Sequence, residues 1–300
     1  KPIPESARAI LNARFALDKP VWLNQKAFAA AWNGGSRNPL ALAGAALDSQ
    51  FFRYLGGLAR FDLGPSYQSK GTEGVRDVLA ERFPTSAKLG LVAIVFAVIV
   101  GLPLGIASAI RQNSWVDYLC LTASTLGIAV PTFVSGILLL ILLSSKFNIA
   151  PVRRPEEWDG LGGAYVLPGI VLGLGTMAYL ARLMRVTLLE TKRHDFVRTA
   201  RAKGLSEPRV IGGHMLRNAL IPVITVIGPA AADLVTGSFI IETIFNVPGM
   251  GREFVTSIAR RDYSMIMGTT LFYALLVALA NVLVDISYGA LDPRIRDERG

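Results

Sequence analysis

The sequence predicts an all-α membrane protein, a polytopic bundle of helices, and three observations carry that prediction. Apolar side chains make up 52% of the 300 residues, and the mean hydropathy is +0.44, more apolar than the roughly 45–50% usual in a soluble domain. Charged residues are only 18%, against about 25% in soluble domains. The apolar residues are also gathered into long uncharged blocks rather than spaced at helix or strand period, as they would be in a fold with one wet face.

The same arithmetic excludes several function classes. A single cysteine, Cys120, lies inside an apolar block, so neither an intramolecular disulfide framework nor a cysteine zinc cluster is available, and Cys120 reads as small core filler. Two histidines argue equally against a histidine-built metal site. The net charge of +9, from 31 Lys and Arg against 22 Asp and Glu, raises nucleic acid as a partner. Its densest stretch, residues 192–217, lies between two apolar blocks, so the charge reads as positive-inside topology, with membrane lipid and no nucleic acid as its partner.

Taken in order, the chain opens with 85 residues of mixed character. Residues 4–16 and 26–32 read as short helices, 33–38 (NGGSRN) as a loop, and 61–67 (FDLGPSY) as a turn with an exposed aromatic. A hydrocarbon core of about 30 Å needs roughly 20 apolar helical residues, and five segments supply them. Residues 89–110 are uncharged, and 118–145 are uncharged but broken by Pro131. Residues 161–181 run into a basic end at Arg182 and Arg185, 219–245 contain Pro222, Pro229 and Asp233, and 264–284 are uncharged. Prolines are tolerated in bundled membrane helices because neighbours satisfy the freed backbone groups.

The connection between the third and fourth segments carries Lys192, Arg193, Arg198, Arg201, Lys203 and Arg209, which places it in the cytoplasm. Alternation then puts 111–117 and the C-terminal tail inside, and 146–163 and 246–262 outside. The expected organisation is an extracytoplasmic segment 1–85, a transmembrane domain 86–290 with a cytoplasmic loop 190–217, and a cytoplasmic tail 291–300. A leading segment outside requires a membrane-crossing element upstream of Lys1, for which a cleaved signal and an uncleaved helix both serve.

Candidate functional residues follow from this layout. In the cytoplasmic loop, Asp195 can cap a helix over 196–203 and Gly204 can supply its left-handed end. Phe196, Val197 and Ala200 then form a small apolar ridge, narrow at Ala200 and Ala202 and flanked by Arg198, Arg201 and Lys203, suited to a groove on another protein or to anionic lipid. Asp233 is the acid deep in an apolar block; it should face the bundle interior or a water-filled path, where it would attract a substrate's amino group or bind a structural partner. Arg182 and Arg185 read as lipid anchors at a helix end, with Asp285 as a partner across the bundle. Glu242 and the glycine-rich 248–251 (PGMG) sit at the outer mouth, as a tight re-entrant turn or a plain surface turn. His214 reads as an interfacial histidine. The sequence has no G-x-x-x-x-G-K-[ST] loop, so nucleotide hydrolysis is not its own chemistry.

Residues 198–223 (RTARAKGLSEPRVIGGHMLRNALIPV) resemble the cytoplasmic loop of binding-protein-dependent ABC importer permeases of the oligopeptide and dipeptide subfamily. Four further stretches resemble that subfamily's B-type permease: 62–67 (DLGPSY), 83–90 (FPTSAKLG), 236–245 (TGSFIIETIF) with 248–251, and 291–296 (LDPRIR). The resemblance runs along nearly the whole chain, apart from 33–50, which looks like an insertion. It departs from the general importer pattern in having Arg198, Thr199 and Ala200 where many permeases have Glu-Ala-Ala.

The resemblance implies a type I ABC importer permease, with an uncleaved first helix upstream and six spans in all, five of them visible here. It implies residence in a bacterial or archaeal inner membrane. It makes Asp195, Phe196, Val197, Arg198, Thr199, Ala200, Arg201, Ala202, Lys203 and Gly204 the coupling helix against an ATPase, and puts an outer gate at Glu242, Pro248, Gly249 and Gly251. The partners it implies are a second homologous permease, two cytoplasmic ATPases that bind ATP and Mg, and an extracytoplasmic binding protein. No cofactor or metal is expected in this chain. The substrate would be a peptide, with nickel as an alternative in the same family. An ion-coupled secondary transporter, the reading from another class, would show internal repeats, and an intramembrane enzyme a nucleophile and base; neither pattern is evident.

Overall fold

The computed structural model describes residues 19–20, 23–35, 38–66, 73–146, 158 and 163–291. The expected helix at 4–16, most of the 146–163 loop, the tail from 292 onward and the side chain of Asp285 lie outside them. Among the described residues the chain is helical, with one isolated antiparallel bridge between Pro65 and Gly74. It divides into two compact units, Lys1–Arg82 with Glu253–Phe272, and Phe83–Arg252 with Tyr273–Gly300. The expected boundary at 85/86 therefore falls inside a helix, and part of the second outside loop joins the leading region.

The first unit contains α1 (Gln25–Asn33), α2 (Pro39–Leu47) and α3 (Gln50–Leu58). Asn24 and Asn38 accept from backbone N–H groups in the first turns of α1 and α2, as residues at a helix N-cap do. Asp48 is held by Lys19 and Arg53. An acid-rich cleft of about 480 Å³ lies in this unit, with Glu73, Asp77, Glu81, Glu253 and Asp262 against Arg82 and Arg260. Its deepest acid is already committed: Asp262 accepts from the Ser66 hydroxyl at 2.5 Å and from the Met265 N–H at 3.1 Å.

The long helix α4 (Val75–Ile110) starts fourteen residues before the apolar segment that announced it, and carries Pro84 and Pro103. It is followed by α5 (Trp115–Ala129) and α6 (Thr132–Leu140), which continues as a π-type turn, Ile141–Lys146. Pro131 separates α5 from α6 with a bend of 103°, because proline disfavours helical backbone in the residue before it. Next come α7 (Val166–Thr191), α8 (Asp195–Ala202) and α9 (Leu216–Thr236), the last entered through Glu207–Arg209 and a π-type turn, Val210–Met215. The chain then forms α10 (Phe239–Ile244), α11 (Met250–Arg260) and α12 (Tyr263–Leu291). Among the described residues, four helical stretches are long and apolar enough to cross a membrane, or five counting the α5–α6 pair as one broken span. The fourth expected segment is interrupted at Gly237, whose φ of +93° ends α9.

Small residues set a close helix contact within the second unit. A Cβ on Gly101 would lie 2.7 Å from the Met177 carbonyl oxygen, and one on Gly105 2.4 Å from that of Ala181. From the other side, a Cβ on Gly173 would lie 2.5 Å from the Ala93 carbonyl. Glycines four apart thus bring the backbones of α4 and α7 together, the packing membrane helices use where burial from water gives no drive. Around this seam Met184, Leu188, Val197, Val210, Met215 and Val223 form a continuous buried core.

Candidate functional site

The loop expected to be the coupling segment is built from the ends of α7 and α9 inward. Lys192 and Arg193 turn the chain, and His194 takes the N-cap position, its ring stacked on Phe196 at 5.5 Å. Asp195 is therefore the first residue of α8 rather than its cap, and faces Arg198 at 3.6 Å. At the other end Gly204 has φ +77°, its N–H donates to Arg201 O at 2.9 Å, and Leu205 N–H donates to Ala200 O at 3.3 Å. That pair of bonds is a Schellman cap, which needs the left-handed residue expected here. Pro208 does not stop a helix. It sits in the first turn of the next one, where its missing N–H costs nothing.

The face of α8 differs from the expected one. Val197 and Ala200 are buried in the protein's own core, beside Leu188, Val210 and Met215. They cannot be a ridge offered to a partner. The exposed side consists of Asp195, Phe196, Arg198, Thr199, Ala202 and Lys203. Arg201 is held across the loop by Glu207, Nε to Oε1 at 2.7 Å. The helix is thus fixed on its inner side to α7 and to the entry of α9, while it presents a basic outer side.

Asp233 lies on the exposed side of α9, where only Ala219, Val223, Leu234 and Thr236 are buried. Pro222, Pro229 and Asp233 are all exposed. At helical spacing they fall within roughly 40° of one another, forming one stripe. No ion pair among the described residues reaches the Asp233 carboxylate.

Arg185 is not a lipid anchor. Its guanidinium grips Asp117 from α5 in a bidentate pair, Nε to Oδ1 and Nη2 to Oδ2, both at 2.8 Å. Ser108 donates to Oδ1 at 2.5 Å and the Asn113 N–H to Oδ2 at 2.9 Å, leaving the Asp117 side chain 2% exposed. Arg182 donates to Thr125 at 3.2 Å. Asp117 looked like a loop acid because the sequence does not show that α5 begins before it.

Glu242 was expected at an outer turn, yet it is completely buried. Its Oε2 accepts from the Arg252 N–H at 3.1 Å, and the Ser86 hydroxyl and the Gly251 N–H also face the carboxylate. Ser86 accepts in turn from the Met250 N–H at 2.9 Å. The glycines of this region answer to that carboxylate. A Cβ on Gly237 would lie 2.5 Å from Oε1, one on Gly249 2.4 Å from Oε2, and one on Gly251 3.0 Å from Oε2. The motif is a carboxylate wrapped by glycine backbone, joining α10 to the start of α11 and to Ser86 of α4.

Comparison with known proteins bears on the family and the fold. The family model described as "Binding-protein-dependent transport system inner membrane component" matches residues 101–297. A dipeptide transport system permease protein of Bacillus subtilis is 45% identical over 247 residues, covering 82% of this chain and 79% of its own length. An oligopeptide transport system permease protein of Haemophilus influenzae is 41% identical over 251 residues, 83% of this chain and 81% of its own. A dipeptide transport system permease protein of Lactococcus lactis is 36% identical over 287 residues, 96% and 84% respectively. Among solved structures, an amino acid ABC transporter with histidines matches with a TM-score of 0.57 at 14% identity, covering 70% of this chain and 92% of that one. The MetNI methionine ABC transporter in an inward-facing form matches at 0.54 and 13% identity, covering 72% and 96%. These structures share the fold.

Proposed function

The chain belongs to the family of binding-protein-dependent transport system inner membrane components, and from that premise we propose that it is a permease subunit of an ATP-driven peptide importer. It is a multi-pass membrane transport component. Its named relatives carry dipeptides or oligopeptides, which supports a peptide as the substrate. A second permease, two ATPases that bind ATP and Mg, and an extracytoplasmic binding protein complete the machine.

The observation that carries the proposal is the setting of α8. Val197 and Ala200 fix its inner side in the core shared with α7 and the entry of α9, and the Gly204 cap fixes its length. A rigid insert of this kind converts a push on its outer side into a displacement of the helices that hold it, because packed cores repack between discrete arrangements rather than flex. In this reading residues 190–217 and the tail face the cytoplasm, and the ATPase cleft takes the side bearing Phe196, Arg198, Thr199, Ala202 and Lys203. Nucleotide-driven closure of the ATPases then moves the permease pair between outward and inward access.

The stripe of Pro222, Pro229 and Asp233 borders the substrate path. A carboxylate in mid-bilayer facing lipid costs about 2.5–3.5 kcal/mol or more, and α9 shields it with nothing of its own. The loop of Glu242, Pro248, Gly249 and Gly251 serves as the outer gate.

A cysteine at Ala202, cross-linked in the assembled complex, tests the coupling assignment. It should join this chain to an ATPase subunit. Failure to cross-link there, combined with cross-linking from the opposite end of the bundle, would overturn it.

A further inference from the structure

Two buried polar atoms near the glycine loop have no hydrogen-bond partner. One is Oε1 of Glu242, on a residue with no exposed surface; the other is the hydroxyl of Tyr273 on α12. They are neighbours. The Tyr273 ring packs edge-on against Phe239 at 5.0 Å, and Phe239 lies one turn before Glu242 on α10. The two are chemically complementary, since a carboxylate oxygen accepts and a phenol donates. Each bears its full desolvation cost unmet here, a rare condition for buried groups in a folded protein.

We propose that Tyr273 and Glu242 are the latch of the outer gate: the Tyr273 O–H donates to Glu242 Oε1 in the conformation that alternates with this one. In an alternating-access protein, a bond present in one state and absent in the other biases the equilibrium between them. The glycine loop explains why the two are apart here. The Arg252 N–H holds the carboxylate at Oε2, with Ser86, Gly251 and Ser238 also against it, and the glycines leave its oxygens room to be re-aimed when the loop moves. Both residues are positioning residues; neither needs to touch the substrate.

The proposal rests on the importer reading, and its test separates the two. The complete importer is reconstituted in liposomes with a single cysteine reporter at Ile240, which is exposed, in a Cys120→Ser background. Labelling by a membrane-impermeant maleimide is measured at rest and with a non-hydrolysable ATP analogue, alongside ATP-driven peptide uptake. Failure of the otherwise unaltered importer to take up peptide would overturn the importer reading. Tyr273→Phe, which keeps the ring on Phe239, should shrink the nucleotide-dependent change in labelling several-fold and lower turnover without raising KM for the loaded binding protein. Glu242→Gln should do the same, and the double variant should be no worse than the single ones. If Tyr273→Phe matches the parent in labelling and turnover, or if the two effects multiply in the double variant, the latch is wrong whatever the importer does.

Discussion

Removing Arg185 should be among the most damaging single changes available in the second unit. The Asp117 carboxylate accepts four hydrogen bonds, two of them from the Arg185 guanidinium at 2.8 Å, with the two side chains 2% and 18% exposed. Arg185→Ala leaves a buried charge with only Ser108 and a backbone N–H as partners. Breaking a buried pair from one side costs about 3–5 kcal/mol, a factor of roughly one hundred to several thousand in the folding equilibrium at about 1.4 kcal/mol per tenfold. Replacing both partners by leucine removes the unpaired charge together with its partner, so Asp117→Leu with Arg185→Leu should recover at least half of the loss. Reversible unfolding in mixed micelles with increasing SDS, followed by circular dichroism, gives the three midpoints against the unaltered protein. Equal losses in the single and double variants would refute the reasoning, as would an Arg185→Ala loss below about 1 kcal/mol, the range of an exposed pair.

Other outcomes follow from the same geometry. Gly105→Ala should destabilise by about 1–3 kcal/mol because its Cβ meets the Ala181 backbone at 2.4 Å, whereas Gly175→Ala, with nothing within 4 Å, should be neutral or gain up to about 1 kcal/mol; the same SDS titration reads both. At the coupling helix, Ala202→Asp on the exposed side should lower ATPase co-purification at least tenfold with the unfolding midpoint unchanged, while Ala200→Asp should unfold the loop. Asp233→Asn should depress ATP-driven uptake of cationic peptides relative to anionic ones, measured by competition; equal uptake across the three charge classes would remove Asp233 from the path.

Much of the fold was legible because spans announce themselves by length and apolarity. Five apolar blocks became the candidate crossings, the second of them as the bent α5–α6 pair that Pro131 marked. Gly204 likewise fixed the end of α8, since only a left-handed residue closes a Schellman cap. What the sequence withheld was direction and partnership. Helical spacing placed Val197 and Ala200 on one side of α8 but could not say that this side faces inward, because a two-turn amphipathic helix looks alike against a partner groove and against its own core. Asp117 and Arg185 lie 68 residues apart, and their union depends on the α5–α7 crossing, for which no local pattern exists. Of the two readings of Glu242 and its glycines, burial removes the plain surface turn: the glycines let backbone close around a buried carboxylate.

The most direct test of the central claim is peptide uptake into liposomes containing this chain, with and without its proposed partners. With a second permease, two ATPases and a loaded binding protein present, uptake should require ATP and stop when any one partner is left out. Uptake by the chain alone, driven by an ion gradient and indifferent to ATP, would contradict the account and point to a secondary transporter.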